Sequence, residues 1–152
     1  MKGESGMITK EQESNKYCCL YVSDYHLEMI LLPFIKNKMQ NSEILIFTQK
    51  NLLESIKVLI KKTNLNSEIK SKILKIRNWD NSIVNRLNKK SKKKYTVIIN
   101  GDEKFRKDIN QEIKSLNTNN ICIVDCYDIN ECKIQGYEIR KNYKGVLNTE
   151  SI

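Results

Sequence analysis

The chain has 152 residues, 39% of them hydrophobic and 30% charged, with a formal charge of +9 at neutral pH. That length suits one core, and the composition is too apolar for disorder and too polar for a membrane protein. No apolar run nears the roughly 18 residues that a spanning helix needs, and the first residues hold no apolar block that could act as a signal peptide, so the sequence predicts a cytoplasmic protein with no membrane partner.

Residues 1–16 are polar, mixed in charge and without period, which predicts a flexible tail. A single α/β domain is expected over 17–147, with 148–152 frayed. Tyr17 to Val22 is a nearly continuous apolar run with aromatic and β-branched members, the pattern of a strand buried on both faces. Ser23 and Asp24 are good helix caps, and Leu27, Ile30, Leu31, Phe34 and Ile35 then follow helical spacing, with Pro33 expected to kink or split that helix. Glu43 to Thr48 forms the second strand. Leu52, Ile56 and Ile60 give the next helix its apolar stripe, and Ile69, Ile73 and Ile76 mark another, capped by Asn66 or Ser67. Residues 77–91 are the least patterned; Trp79 there reads as a packing residue, and Ile83, Val84 and Leu87 suggest one short helix. Tyr95 to Asn100 is the third strand. It runs into Gly101-Asp102 and a helix carrying Phe105, Ile109 and Ile113. Ile121 to Tyr127 is the fourth, and the segment from Ile129 to Tyr143 is too irregular to assign.

Strands that alternate with helices and read as continuous apolar blocks predict a three-layer α/β fold, Rossmann-like in layout: a mainly parallel sheet of about four to five strands with helices on both faces. Right-handed crossovers place the carboxyl ends of parallel strands on one edge, where ligands of such folds bind. The residues delivered there are Ser23, Asp24, Thr48, Asn100, Asp102, Asp125 and Asp128, and these are the candidate ligand-binding residues. Each also has a commoner use as a helix cap or strand end. Their convergence on one edge is what supports the expectation of a site there.

The chemistry of the better-known α/β enzymes is missing. A P-loop would place GxxxxGK[ST] after the first strand so that backbone amides and a lysine hold phosphate; the chain has Val22-Ser23-Asp24-Tyr25-His26-Leu27 instead. Gly3, Gly6, Gly101, Gly136 and Gly145 never fall at GxGxxG spacing. The five cysteines, Cys18, Cys19, Cys122, Cys126 and Cys132, contain no CxxC pair and there is one histidine, so no zinc spacing exists. Cys18, Cys19 and Cys122 read as small buried hydrophobes, with Cys126 and Cys132 nearer a strand end or loop. His26 lies a turn from Asp24, but no third group completes a catalytic set. No cofactor, catalytic residue or metal ligand is therefore assigned; Asp102, Asp125 and Asp128 as a cation site is only a weak signal. The charge is largely lysine rather than arginine in a chain without alanine, as an AT-rich coding sequence would give. Its one cluster is Lys89, Lys90, Lys92, Lys93 and Lys94, either a solvated loop or a phosphate-binding patch.

Leu20-Tyr21-Val22-Ser23-Asp24, followed by Leu31-Leu32-Pro33-Phe34-Ile35 and the run Ser42-Glu43-Ile44-Leu45-Ile46-Phe47, resembles the start of the MEDS sensory domain. Members of that family carry a tyrosine-containing strand, an acidic turn, a helix with proline and phenylalanine beside aliphatic residues, and a second strand. Ile121 to Asp128 is similar to the family's last core strand, which often ends in tyrosine and aspartate. The resemblance covers the first third of the chain and, loosely, the end; Ser42 stands where a glycine is common. It implies a RecA-like fold that has lost its phosphate loop and a sensory or regulatory role in ligand binding, in family members often joined to signalling or DNA-binding modules. A chain of 152 residues has no room for such a module, so a signal would pass to a separate partner. The expectation is thus a non-catalytic regulatory domain that binds a small-molecule ligand or a protein partner at the carboxyl edge of its sheet. Nucleic-acid binding through Lys89–Lys94 is the alternative, and a small hydrolase or transferase a second one.

Overall fold

A computed structural model describes residues 15–49, 52–78, 93–115, 120–132 and 136–147. The elements in chain order are β1 (Lys16–Tyr21), α1 (Asp24–Lys38), β2 (Glu43–Thr48), α2 (Leu52–Lys61), α3 (Ser67–Leu74), β3 (Arg77–Asn78), β4 (Tyr95–Asn100), α4 (Glu103–Ser115), β5 (Ile121–Asp128), α5 (Gly136–Arg140) and β6 (Gly145–Leu147). Among the described residues the six strands form one sheet in the order β3-β2-β4-β5-β1-β6, and every pairing is parallel.

The residue pattern explains the order. A strand buried on both faces must lie inside a sheet covered on both sides, and β4 is buried at all six positions. Along β2, Ile44 and Ile46 join a core with Leu27, Ile30 and Leu31 of α1 and Ile56 of α2. The alternate residues Leu45 and Phe47 point the other way, into a second core with Val97, Ile99 and Ile109 and Ile113 of α4. The two cores are the two faces of a period-2 strand. Connections from β1 to β2 and from β2 to β3 run one way along the sheet, and those from β4 to β5 and from β5 to β6 the other. Right-handed crossovers then put α1, α2 and α3 on one face and α4 and α5 on the opposite one. The protein is a three-layer, Rossmann-like α/β fold. Among the described residues no helix is long and apolar enough to cross a membrane.

Four details depart from the sequence reading. β1 begins at Lys16 rather than Tyr17, and the Asn15 carbonyl already accepts from Ile123 N at 2.8 Å, so the expected tail ends earlier; residues 1–14 and 148–152 lie outside the described residues. α1 is not split at Pro33. Proline removes only the donor that would have reached the Met29 carbonyl, and Met29 is exposed, so water can replace that donor. The sheet gains two short strands at its edges, β3 and β6, too brief to show a period. Cys126 is not at a strand end: it is fully buried within β5 on the α1 face. Trp79 and the helix suggested around Ile83 lie outside the described residues.

Candidate functional site

The carboxyl ends of β1, β2, β4 and β5 meet on one edge, as the parallel topology requires. Across it runs a row of side chains. The Tyr21 hydroxyl, at the end of β1, reaches over β5 and donates to Asn100 Oδ1 at 3.0 Å, and Asn100 Nδ2 donates to Thr48 Oγ1 at 3.4 Å. Thr48 and Asn100 are thereby brought together, and Asn100 is buried. Tyr21 was missed in the sequence because it reads simply as a strand residue; alternation places it on the same face as Asn100. Its hydroxyl is pushed up from the ordinary value first by burial, then by Cys126 and by the carboxylates of Asp128, Asp24 and Glu131. Asp128 stands opposite Tyr21 in the β1–β5 register and Asp24 follows it by three residues, so acids gather at the end of β1.

Of the remaining candidates on this edge, Ser23, Asp102 and Asp128 hold backbone. Ser23 Oγ accepts from His26 N at 3.1 Å and caps α1, while Asp24 sits exposed in its first turn. Asp102 Oδ1 accepts from Phe105 N at 2.8 Å, capping α4. Asp128 Oδ1 accepts from Asn130 N at 2.9 Å in an aspartate turn. His26 Nδ1 accepts from Val22 N at 3.1 Å, which commits that ring nitrogen to the backbone. Gln49, next to Thr48, ties β2 to β4: its N donates to Asn100 O at 2.9 Å and its Oε1 accepts from Asp102 N at 2.7 Å. One turn into α1, Glu28 is a buried carboxyl raised by burial and by Asp24.

Asp125 lies elsewhere. It is buried below the edge on the α4 face, where Asn110 Nδ2 donates to Oδ1 at 3.0 Å and the Tyr143 hydroxyl donates to Oδ2 at 2.6 Å. Lys16 Nζ stands 3.8 Å from the same Oδ2. Tyr143, having given its proton to Asp125, accepts from the Tyr127 hydroxyl at 2.6 Å. The Arg106 guanidinium lies 4.0 Å from the centre of the Tyr127 ring and donates to Gly101 O at 2.6 Å. Nothing in the sequence signals this network, since Tyr143 is 18 residues from Asp125 in an irregular segment. Among the described residues no three histidine, cysteine, aspartate or glutamate side chains group to hold a metal, which removes the Asp102, Asp125 and Asp128 cation site.

Apolar surface gathers at the same edge. Among the described residues six large hydrophobics are exposed, and four of them, Val22, Tyr25, Met29 and Ile129, sit where β1 passes into α1 and β5 into its following turn. Ile129 N donates to Tyr21 O at 2.9 Å and Asn130 Nδ2 to Val22 O at 3.0 Å, which sets Ile129 beside Val22. Tyr25 and Met29 are four apart on α1 and share a face.

On the opposite, amino edge the described residues line a pair of overlapping grooves. The larger, about 420 Å³, is lined by Lys72, Lys75, Lys93 and Lys94 around Ile44 and Ile76. The smaller, about 260 Å³, is lined by Lys38, Lys94 and the carboxamides of Asn15, Asn41 and Asn120. Lys93 Nζ donates to Glu43 Oε1 at 2.9 Å, and that bond raises the lysine above its ordinary value. Lys89, Lys90 and Lys92 of the sequence cluster lie outside the described residues. Compared with family models, with curated proteins and with solved structures, the chain matches none.

Proposed function

We propose that the protein is a non-catalytic regulatory domain that recognises a protein partner through the carboxyl edge of its sheet. The exposed apolar patch of Val22, Tyr25, Met29 and Ile129 carries this reading, because apolar surface gathered at one place is the usual mark of an association site. The acids that converge on Tyr21, namely Asp128, Asp24 and Glu131, border the patch and favour a partner with apolar side chains flanked by cations. A small ligand is a weaker match, since the polar groups of this edge already cap helices and cross-tie strands, and small-molecule sites are concave. The resemblance to the MEDS family agrees with a regulatory role.

Recovery from the protein's own cell lysate, with nuclease added, tests this. The expected result is a protein that co-purifies with the wild type, is lost with Tyr25→Asp, and is retained with Val58→Asp, an equally exposed apolar position on α2. Equal recovery with both variants would exclude the patch. Self-association in sedimentation velocity that Tyr25→Asp abolishes would reassign it to a second copy of the chain.

A further inference from the structure

The two amino-edge grooves share Asn41, Ser42 and Lys94 and so form one trench along the starts of β2, β4 and β5. We infer that this trench binds the phosphate backbone of a single-stranded nucleic acid. Among the described residues its lining carries Lys38, Lys72, Lys75, Lys93 and Lys94 against one carboxylate, Glu43. Cations crowded into a concavity repel one another and oppose folding. Helix carboxyl termini account for Lys38 at the end of α1 and for Lys72 and Lys75, in the last turn and at the C-cap of α3, and Lys72 also pairs with Glu68 at 3.5 Å. They do not account for Lys93 and Lys94, which precede β4, and of these two Lys93 is paired with Glu43 at 2.9 Å. Among the described residues Lys75 and Lys94 form no ion pair with a carboxylate. A phosphate chain neutralises such a row and releases its counterions on binding.

The character of the lining selects the polyanion. Lysine ammonium groups act as point charges toward phosphate without reading base edges. Asn41 lines the same trench, and a carboxamide offers both donors and acceptors, which bases can use. Among the described residues the trench is concave and lies at the amino edge of the sheet. A flexible single strand is what fits into a cationic groove of this kind.

Fluorescence anisotropy of a labelled single-stranded oligonucleotide of mixed sequence, titrated with the full chain over a range of salt concentrations, tests the assignment. With about 0.7 of salt slope per phosphate contact on a single strand, the double substitution Lys75→Gln and Lys94→Gln should make the slope of log affinity against log salt shallower by about 1.4. Lys104→Gln with Lys107→Gln, an equal loss of charge from exposed positions near the start of α4, should leave the slope unchanged. The binding should also survive Tyr25→Asp, which separates this surface from the carboxyl edge. Equal effects of the two double variants, a salt-independent affinity, or tighter binding to polyglutamate or to a duplex of the same length would each overturn the assignment.

Discussion

Asp125 is 2% exposed, and a carboxylate at that depth is tolerable only if its oxygens are satisfied. Asn110, Tyr143 and Lys16 supply that satisfaction from α4, from the segment before β6 and from β1. Tyr143→Phe removes the donor to Asp125 Oδ2 and the acceptor for Tyr127, so the variant should lose about 1–3 kcal/mol in urea unfolding. Adding Tyr127→Phe to it should cost less than Tyr127→Phe alone, because the two hydroxyls belong to one chain. Asp102 makes a simpler contribution: its Oδ1 satisfies one of the open amides at the start of α4. Asp102→Ala should lower stability by about 1 kcal/mol, read from the shift in denaturant midpoint, and leave oligonucleotide binding at the amino edge unaltered. At this scale the caps were legible, since serine, asparagine and aspartate cap by local geometry. The fate of Asp125 was not, since its partners come from three separate parts of the chain.

Among elements, the turn from β4 to α4 is tightly packed. A Cβ on Gly101 would collide with the Phe105 ring and the Gln49 amide oxygen, and Gln49 is what ties β2 to this turn through Asp102 N. Gly101→Ala should therefore cost about 1–3 kcal/mol by overpacking, measured by urea unfolding, and a variant as stable as wild type would show that Gln49 is free to move aside. The longer elements were readable because each carries its own period: α2 places Leu52, Ile56 and Ile60 on one buried stripe, and β4 is apolar throughout. β3 has two residues and β6 three. Such pieces hold no period and become strands only because β2 and β1 offer them unpaired edges.

The molecule stores Cys18, Cys19 and Cys126 deep in its sheet, and this shapes its alkaline stability. Burial first, and Cys19 next, pushes the Cys18 thiol from 9.0 up to about 12; burial likewise raises Cys122 and Cys126. In the unfolded chain these groups ionise from about pH 9, whereas the folded protein retains their protons. The native state then binds more protons, so stability is complete below about pH 9 and falls as pH rises toward about 12. The slope is up to about 1.4 kcal/mol per pH unit for each thiol. Urea midpoints measured at about pH 8 and about pH 10.5 should show the fall, and Cys18→Val should flatten it. A wild-type midpoint independent of pH over that interval would mean the thiols ionise as readily folded as unfolded.

The sequence by itself determined the α/β class, the parallel sheet, the helix caps and the carboxyl edge as a meeting place, because periodicity, capping and crossover handedness are local or follow from chain order. Only the tertiary structure decided which strands are neighbours, and with them the character of the two edges. β1 lies between β5 and β6, partners about a hundred residues away in the chain, a choice made by core packing. That pairing brought the Tyr21 hydroxyl within reach of Asn100 and set Ile129 beside Val22. The pairing of β2 with β4 and of β4 with β5 collected lysines from α1, α3 and the start of β4 around one trench. Side chains so distant in the sequence acquire a common surface only when the sheet forms, and no reading of spacing along the chain contains that information.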